Sequence, residues 1–155
     1  MQQIEKMRTL VYLTYESRED EIMIVLHWCT DRHHSHKCPA SLCNVSLKLT
    51  LDEADLLATL LEAFSTRASL GFHHCLDENF TSRVGVAKLE YRFDFDSKRA
   101  ECAIVLERWE AKARLRTELI LSPQDAAALA DELDKHLKWL GYATEEKHEA
   151  YKPVP

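Results

Sequence analysis

Glycine and proline are scarce, with three glycines and four prolines in 155 residues. That scarcity excludes Gly-rich phosphate loops and leaves little room for long flexible linkers. No apolar stretch approaches the roughly 20 residues a membrane-spanning helix requires. The opening residues, MQQIEKMRTLVYL, lack the charged start, apolar centre and small-residue cleavage site of a secretory leader. The expectation is a cytoplasmic protein with no membrane association. Five cysteines include no C-x-x-C pair, and an odd number without an export signal points away from a disulfide framework. An excess of basic charge is missing too. Lys and Arg total 20 against 26 Asp and Glu, a net charge of −6, and a field of that sign repels nucleic acid and acidic membranes. No H-E-x-x-H helix pair or other catalytic signature is present, so no enzyme is expected.

What remains is an ordinary globular composition, 46% hydrophobic and 30% charged, sufficient for one core. Residues 9–15 and 21–29 are rich in β-branched and aromatic side chains and flank a charged turn, which predicts an antiparallel hairpin. Residues 30–44 break the periodicity and read as a loop. From Val45 to Leu51 apolar residues alternate with polar ones, the pattern of a half-buried strand. Thr50 and Glu53 have the spacing of a capping box, and Ala54, Leu57, Leu60, Leu61 and Phe64 follow at helical spacing. Residues 71–85 read as a connector. A second hairpin follows, its first arm alternating through Leu89, Tyr91, Phe93 and Phe95. Its returning arm is too long for one straight strand and predicts a bend or bulge within residues 107–112. Ser122 and Pro123 then open a second helix that Gly141 stops.

The two halves repeat. Leu47, Leu49, Ala54, Leu57, Ala58 and Leu61 recur, all at an offset of 72, as Leu119, Leu121, Ala126, Leu129, Ala130 and Leu133. The predicted fold is therefore α+β: two tandem hairpin–strand–helix units, about 9–69 and 86–141, with antiparallel sheet and two helices packed on one side in a pseudo-twofold pair. Residues 1–143 form a single domain, and 144–155, charged and ending in prolines, form a flexible tail.

Two stretches carry candidate chemistry. Cys29, His33, His36, Cys38 and Cys43 supply the soft and borderline ligands a structural zinc takes, although their spacing fits no standard zinc module. Arg108, Lys112, Arg114 and Arg116 share a parity, so an extended strand would present them on one face, with Trp109 nearby in sequence. A basic sheet bearing aromatics can hold a single nucleic-acid strand through phosphates and base stacking. Glu107, Glu110 and Glu118 dilute that ladder.

The two-unit layout, spanning most of the chain, resembles the Whirly-type single-strand DNA binders, which repeat a sheet followed by a helix. The resemblance implies single-strand binding. The lysine-rich strand motif of plant Whirly proteins is absent, however, and the acidic charge departs from typical nucleic-acid binders. The leading functional expectation is a non-enzymatic regulatory or inhibitory protein that binds a protein partner, with homodimerisation through an open sheet edge as one form of contact. The alternative is a single-stranded DNA or RNA binder using residues 108–116, with or without the structural zinc.

Overall fold

The computed structural model of the chain describes residues 2–4, 7, 11–29, 45–71, 81–94 and 96–142. In chain order its elements are β1 (Gln2–Gln3), β2 (Val11–Arg18), β3 (Glu21–Trp28), β4 (Val45–Leu49), α1 (Leu51–Ser69), β5 (Thr81–Val84), β6 (Ala87–Asp94), β7 (Arg99–Glu110), β8 (Ala113–Leu121) and α2 (Pro123–Trp139). The fold is α+β, a two-fold arrangement of two units. Each unit is an antiparallel sheet followed by a helix, with strand orders β1-β2-β3-β4 and β5-β6-β7-β8. The expected tail, residues 144–155, lies outside the described residues.

Three features go beyond the sequence reading. The first is a pair of short outer strands, β1 and β5, that carry too few residues for a period-two signal. The second is a reversal of the chain where a bend was expected. Glu110 pairs with Ala113, so Ala111 and Lys112 form a two-residue hairpin loop, both with positive φ (48° and 68°). A loop of that kind usually carries Asn-Gly or Asp-Gly, and Ala-Lys conceals it. Glu19 and Asp20 close the β2–β3 hairpin in the same way, at φ 50° and 66°. The third is burial near the start of the chain, ahead of the first predicted strand, where Ile4 and Met7 join the core.

The helix starts behave as their residue types dictate. The Thr50 hydroxyl accepts from the Glu53 N–H at 3.2 Å, and the Glu53 carboxylate accepts from the Thr50 N–H at 2.9 Å. The reciprocal pair satisfies backbone donors that a helix start otherwise leaves open. Ser122 accepts from the Asp125 N–H at 3.1 Å, and Pro123 occupies the first turn, where its missing N–H costs nothing.

All twelve repeated Leu and Ala positions are buried, forming the centre of one core that joins both units. Each fully buried leucine there contributes roughly 1.5–3 kcal/mol. Ile24, Leu26 and Trp28 of β3 and Leu89 and Tyr91 of β6 face the helices. α1 and α2 pack against one another, and each also reaches the other unit's sheet. Phe64 of α1 stacks on Tyr91 of β6 (centroids 5.7 Å apart), and His136 of α2 lies against Tyr15 of β2 (5.4 Å). This crossed arrangement is what builds the cleft described next.

Candidate functional site

The outer face of the second sheet carries two of the residues singled out in the sequence, Arg114 and Arg116, and the hairpin parts them from the other two. Arg114 and Arg116 lie on β8, Lys112 sits in the turn, and Arg108 lies on β7, opposite Leu115. The expected ladder of four on one extended strand is therefore not formed. Arg116 bonds the carboxylates of Glu90 and Glu118, and Arg114 bonds Glu107. Arg92 adds bonds to Glu90 at 2.7 Å and to Glu118 at 2.8 Å, and Lys88 reaches Glu107 at 3.3 Å. Arg92 is the first cause of the lowered carboxyl pKa of both Glu90 and Glu118, ahead of Arg116; Arg114 does the same for Glu107, ahead of Lys88. Under this lattice Ala103 and Val105, also on the outer face, are fully covered. The long side chains shelter apolar strand atoms with their stems while their charged ends neutralise one another. A phosphate backbone would have to displace carboxylates already in place.

On the first sheet, His27 ties three strands together. Its Nε2 meets the Thr14 hydroxyl at 2.7 Å and its Nδ1 meets the Ser46 hydroxyl at 2.9 Å. Burial lowers its pKa, so the ring is neutral near pH 7 and both nitrogens are engaged. Cys29, half-buried, ends that stretch. His33, His36, Cys38 and Cys43, the other expected zinc ligands, lie outside the described residues. Among the described residues no group of three or more His, Cys, Asp or Glu side chains is placed to hold a metal ion.

One concavity among the described residues is not revealed by residue spacing. It has a volume of about 740 Å³ and lies between β2 and the last two turns of α2, lined by Thr14, Tyr15, Glu132, Lys135, His136 and Trp139. Trp139 is 76% exposed and stacks on Tyr15 at 5.8 Å, itself 40% exposed. Burial, followed by the nearby Glu132 charge, raises the Tyr15 pKa, so the phenol keeps its proton and donates to His136 Nδ1. Burial lowers the His136 pKa against the opposing pull of Glu132. The neutral ring then carries its proton on Nε2, which faces the Glu132 carboxylate at 3.7 Å. Lys135 is held by Asp131 at 3.2 Å.

The repeat shows that this cleft is a departure from the fold's own pattern. Strand register makes Tyr91 the counterpart of Tyr15: Tyr15 faces Ile24 and then Leu49, and Tyr91 faces Cys102 and then Leu121. On the helices, the offset of 72 pairs Leu60, Ala63, Phe64 and Arg67 of α1 with Glu132, Lys135, His136 and Trp139 of α2. In one half Phe64 and Tyr91 are buried and stacked, closing the position. In the other, polar residues and an exposed tryptophan keep it open. The signal was present in the sequence: aligning the helices position by position shows the Phe-to-His and Arg-to-Trp exchanges. It becomes interpretable only when both positions are seen against their tyrosines. Alongside the cleft, no described strand pairs with the outer side of β2 beyond Leu13, where β1 ends.

No protein-family model matches the chain, and no curated protein matches it in sequence. No helix among the described residues is long and apolar enough to cross a membrane.

Proposed function

We propose that this chain is a non-enzymatic regulatory or inhibitory protein that binds another protein at the cleft between β2 and α2. The observation that carries the reading is the contrast between the two halves, one sealed by Phe64 on Tyr91 and the other open beside an exposed Trp139. Tryptophan and tyrosine supply large contact area at low conformational cost and dominate protein interfaces. An extended partner segment fits the adjoining strand edge, adding backbone hydrogen bonds to side-chain packing. Glu132 in the cleft, Glu16, Glu19, Asp20 and Glu21 at the neighbouring hairpin end, and the net charge of −6 favour a segment with basic residues.

The test begins with capture of a partner from the native host and continues with calorimetry on both purified proteins. Tyr15→Ala and Trp139→Ala are expected to weaken binding at least about thirtyfold each, the scale of an interface hot spot. Arg114→Ala with Arg116→Ala leaves it unchanged. Full-strength binding by Trp139→Ala overturns the reading. So does salt-sensitive binding of single-stranded oligonucleotides that disappears with the arginine pair, which would establish the alternative function.

A further inference from the structure

Glu132 departs from the repeat in the direction that costs stability. Its counterpart in α1 is Leu60, an apolar side chain packed against the core. The fold accommodates a leucine at this position, and a carboxylate only 19% exposed gives up much of its hydration there. That loss is offset when hydrogen bonds and opposite charge replace the water. Within the cleft the replacement is incomplete. Glu132 Oε1 faces Lys135 Nζ at 3.8 Å and Oε2 faces His136 Nε2 at 3.7 Å, both longer than a hydrogen bond. Burial keeps His136 neutral near pH 7, and Lys135 stands closer to Asp131, at 3.2 Å. Asp131, Glu132 and Lys135 together leave this wall of the cleft with an excess of one negative charge.

We infer that the cleft takes the side chain of an arginine from the bound segment, its guanidinium on Glu132 and its aliphatic stem along the ring of Trp139. The inference rests on the docking function proposed above and adds the residue that anchors it. Charge selects a cation, because one positive group balances the wall. Geometry selects the guanidinium, which offers parallel N–H groups to both carboxylate oxygens, whereas an ammonium is a single point charge. Trp139 is 76% exposed, and with one face stacked on Tyr15 the other is left as a flat aromatic surface of the kind on which arginine packs. Tyr15 serves as a positioning residue. Its hydroxyl donates to His136 Nδ1, which holds the imidazole proton on Nε2, beside Glu132, and its ring backs Trp139. In the other half, Leu60 and the buried Phe64–Tyr91 stack offer neither a carboxylate nor an opening.

The test uses the whole chain near neutral pH at constant ionic strength. The probe is the blocked tripeptide acetyl-Gly-Arg-Gly-amide, and the readout is the Trp139 indole N–H resonance, identified by its loss in Trp139→Ala. A saturable shift with a dissociation constant on the order of 1–10 mM is expected for a single side chain in a single site. The lysine peptide should bind about threefold more weakly or worse, and the citrulline peptide, which keeps the shape and loses the charge, at least about tenfold more weakly. Glu132→Gln should lower affinity for the arginine peptide about tenfold and abolish the preference over citrulline. The inference is overturned by an arginine peptide that gives no saturable shift, or that binds no better than the lysine or citrulline peptide. Undiminished binding by Glu132→Gln overturns it as well. Should that variant misfold by circular dichroism, the three peptides on the parent chain decide. The docking function keeps its own readout. A captured protein partner weakened by Trp139→Ala but not by Glu132→Gln removes the arginine anchor and leaves the docking cleft standing, whereas a partner indifferent to Trp139→Ala removes the docking cleft itself.

Discussion

Replacing Gly85 with alanine tests how the second unit's first hairpin is locked to the first unit's helix. Gly85 sits in the β5–β6 turn at φ +60°, and a Cβ there would stand 2.0 Å from Glu53 Oε2. The Glu53 carboxylate accepts from the Thr50 N–H, completing the α1 capping box. Rotating Glu53 away relieves the collision but forfeits that bond. The left-handed backbone costs an alanine about 1 kcal/mol, and the lost cap bond about another 1 kcal/mol. A total of about 2 kcal/mol lowers the melting temperature by roughly 4–8 °C for a chain of this size. The assay is a double-mutant cycle by thermal or urea unfolding, using Gly85→Ala, Glu53→Ala and the pair. With Glu53 truncated there is no cap bond left to displace, so Gly85→Ala should then cost only the backbone share, a coupling of about 1 kcal/mol. An undiminished cost in the Glu53→Ala background would refute the proposed contact.

Three other outcomes follow from the geometry. Ala111→Asn with Lys112→Gly gives the β7–β8 loop residues that tolerate positive φ, and should raise stability by about 1 kcal/mol in urea unfolding; no gain would mean the loop carries no backbone strain. His136 has a folded pKa below its ordinary 6.5 because burial opposes charging, so its contribution to stability is complete above 6.5 and declines as pH falls from there through the folded value. His136→Phe, which copies Phe64 in the other half, should flatten that part of the melting-temperature profile and alter Trp139 fluorescence; a profile unchanged from the parent would assign the dependence elsewhere. Cys102 is fully buried and desolvation pushes its thiol up to about 12, so at pH 8 its thiolate fraction is on the order of one in ten thousand. Iodoacetamide followed by peptide mapping should leave Cys102 unmodified until denaturant is added, and ready labelling in buffer would show that strand β7 opens.

Most of the architecture was legible because it rests on local chemistry. Thr50 with Glu53, and Ser122 with Pro123, mark helix starts through bonds spanning at most three residues, and the structure places both helices one residue later. The repeat was visible because core positions demand small and branched apolar side chains at fixed spacing, and all twelve are buried. The β7–β8 loop was misread because Ala111 and Lys112 carry none of the residue preferences of a tight turn, so only the pairing of Glu110 with Ala113 reveals it. That reversal, not any change in the residues, set Arg108 opposite Leu115 instead of in line with Arg114 and Arg116.

The sequence by itself determined the α+β class, the duplicated unit, the starts of both helices and the identity of the central core, since periodicity and caps act over a few residues. Tertiary structure alone decided which charges are spent and which aromatics are free. Arg114 and Arg116 read as available cations until strand pairing brings Glu107 and Glu90, the latter 26 residues away, within bonding distance. Tyr15 and His136 are separated by 121 positions and meet because each helix crosses to the other unit's sheet. Electrostatic neutralisation and cleft formation depend on distance through space, and that is fixed only once both sheets and both helices have packed.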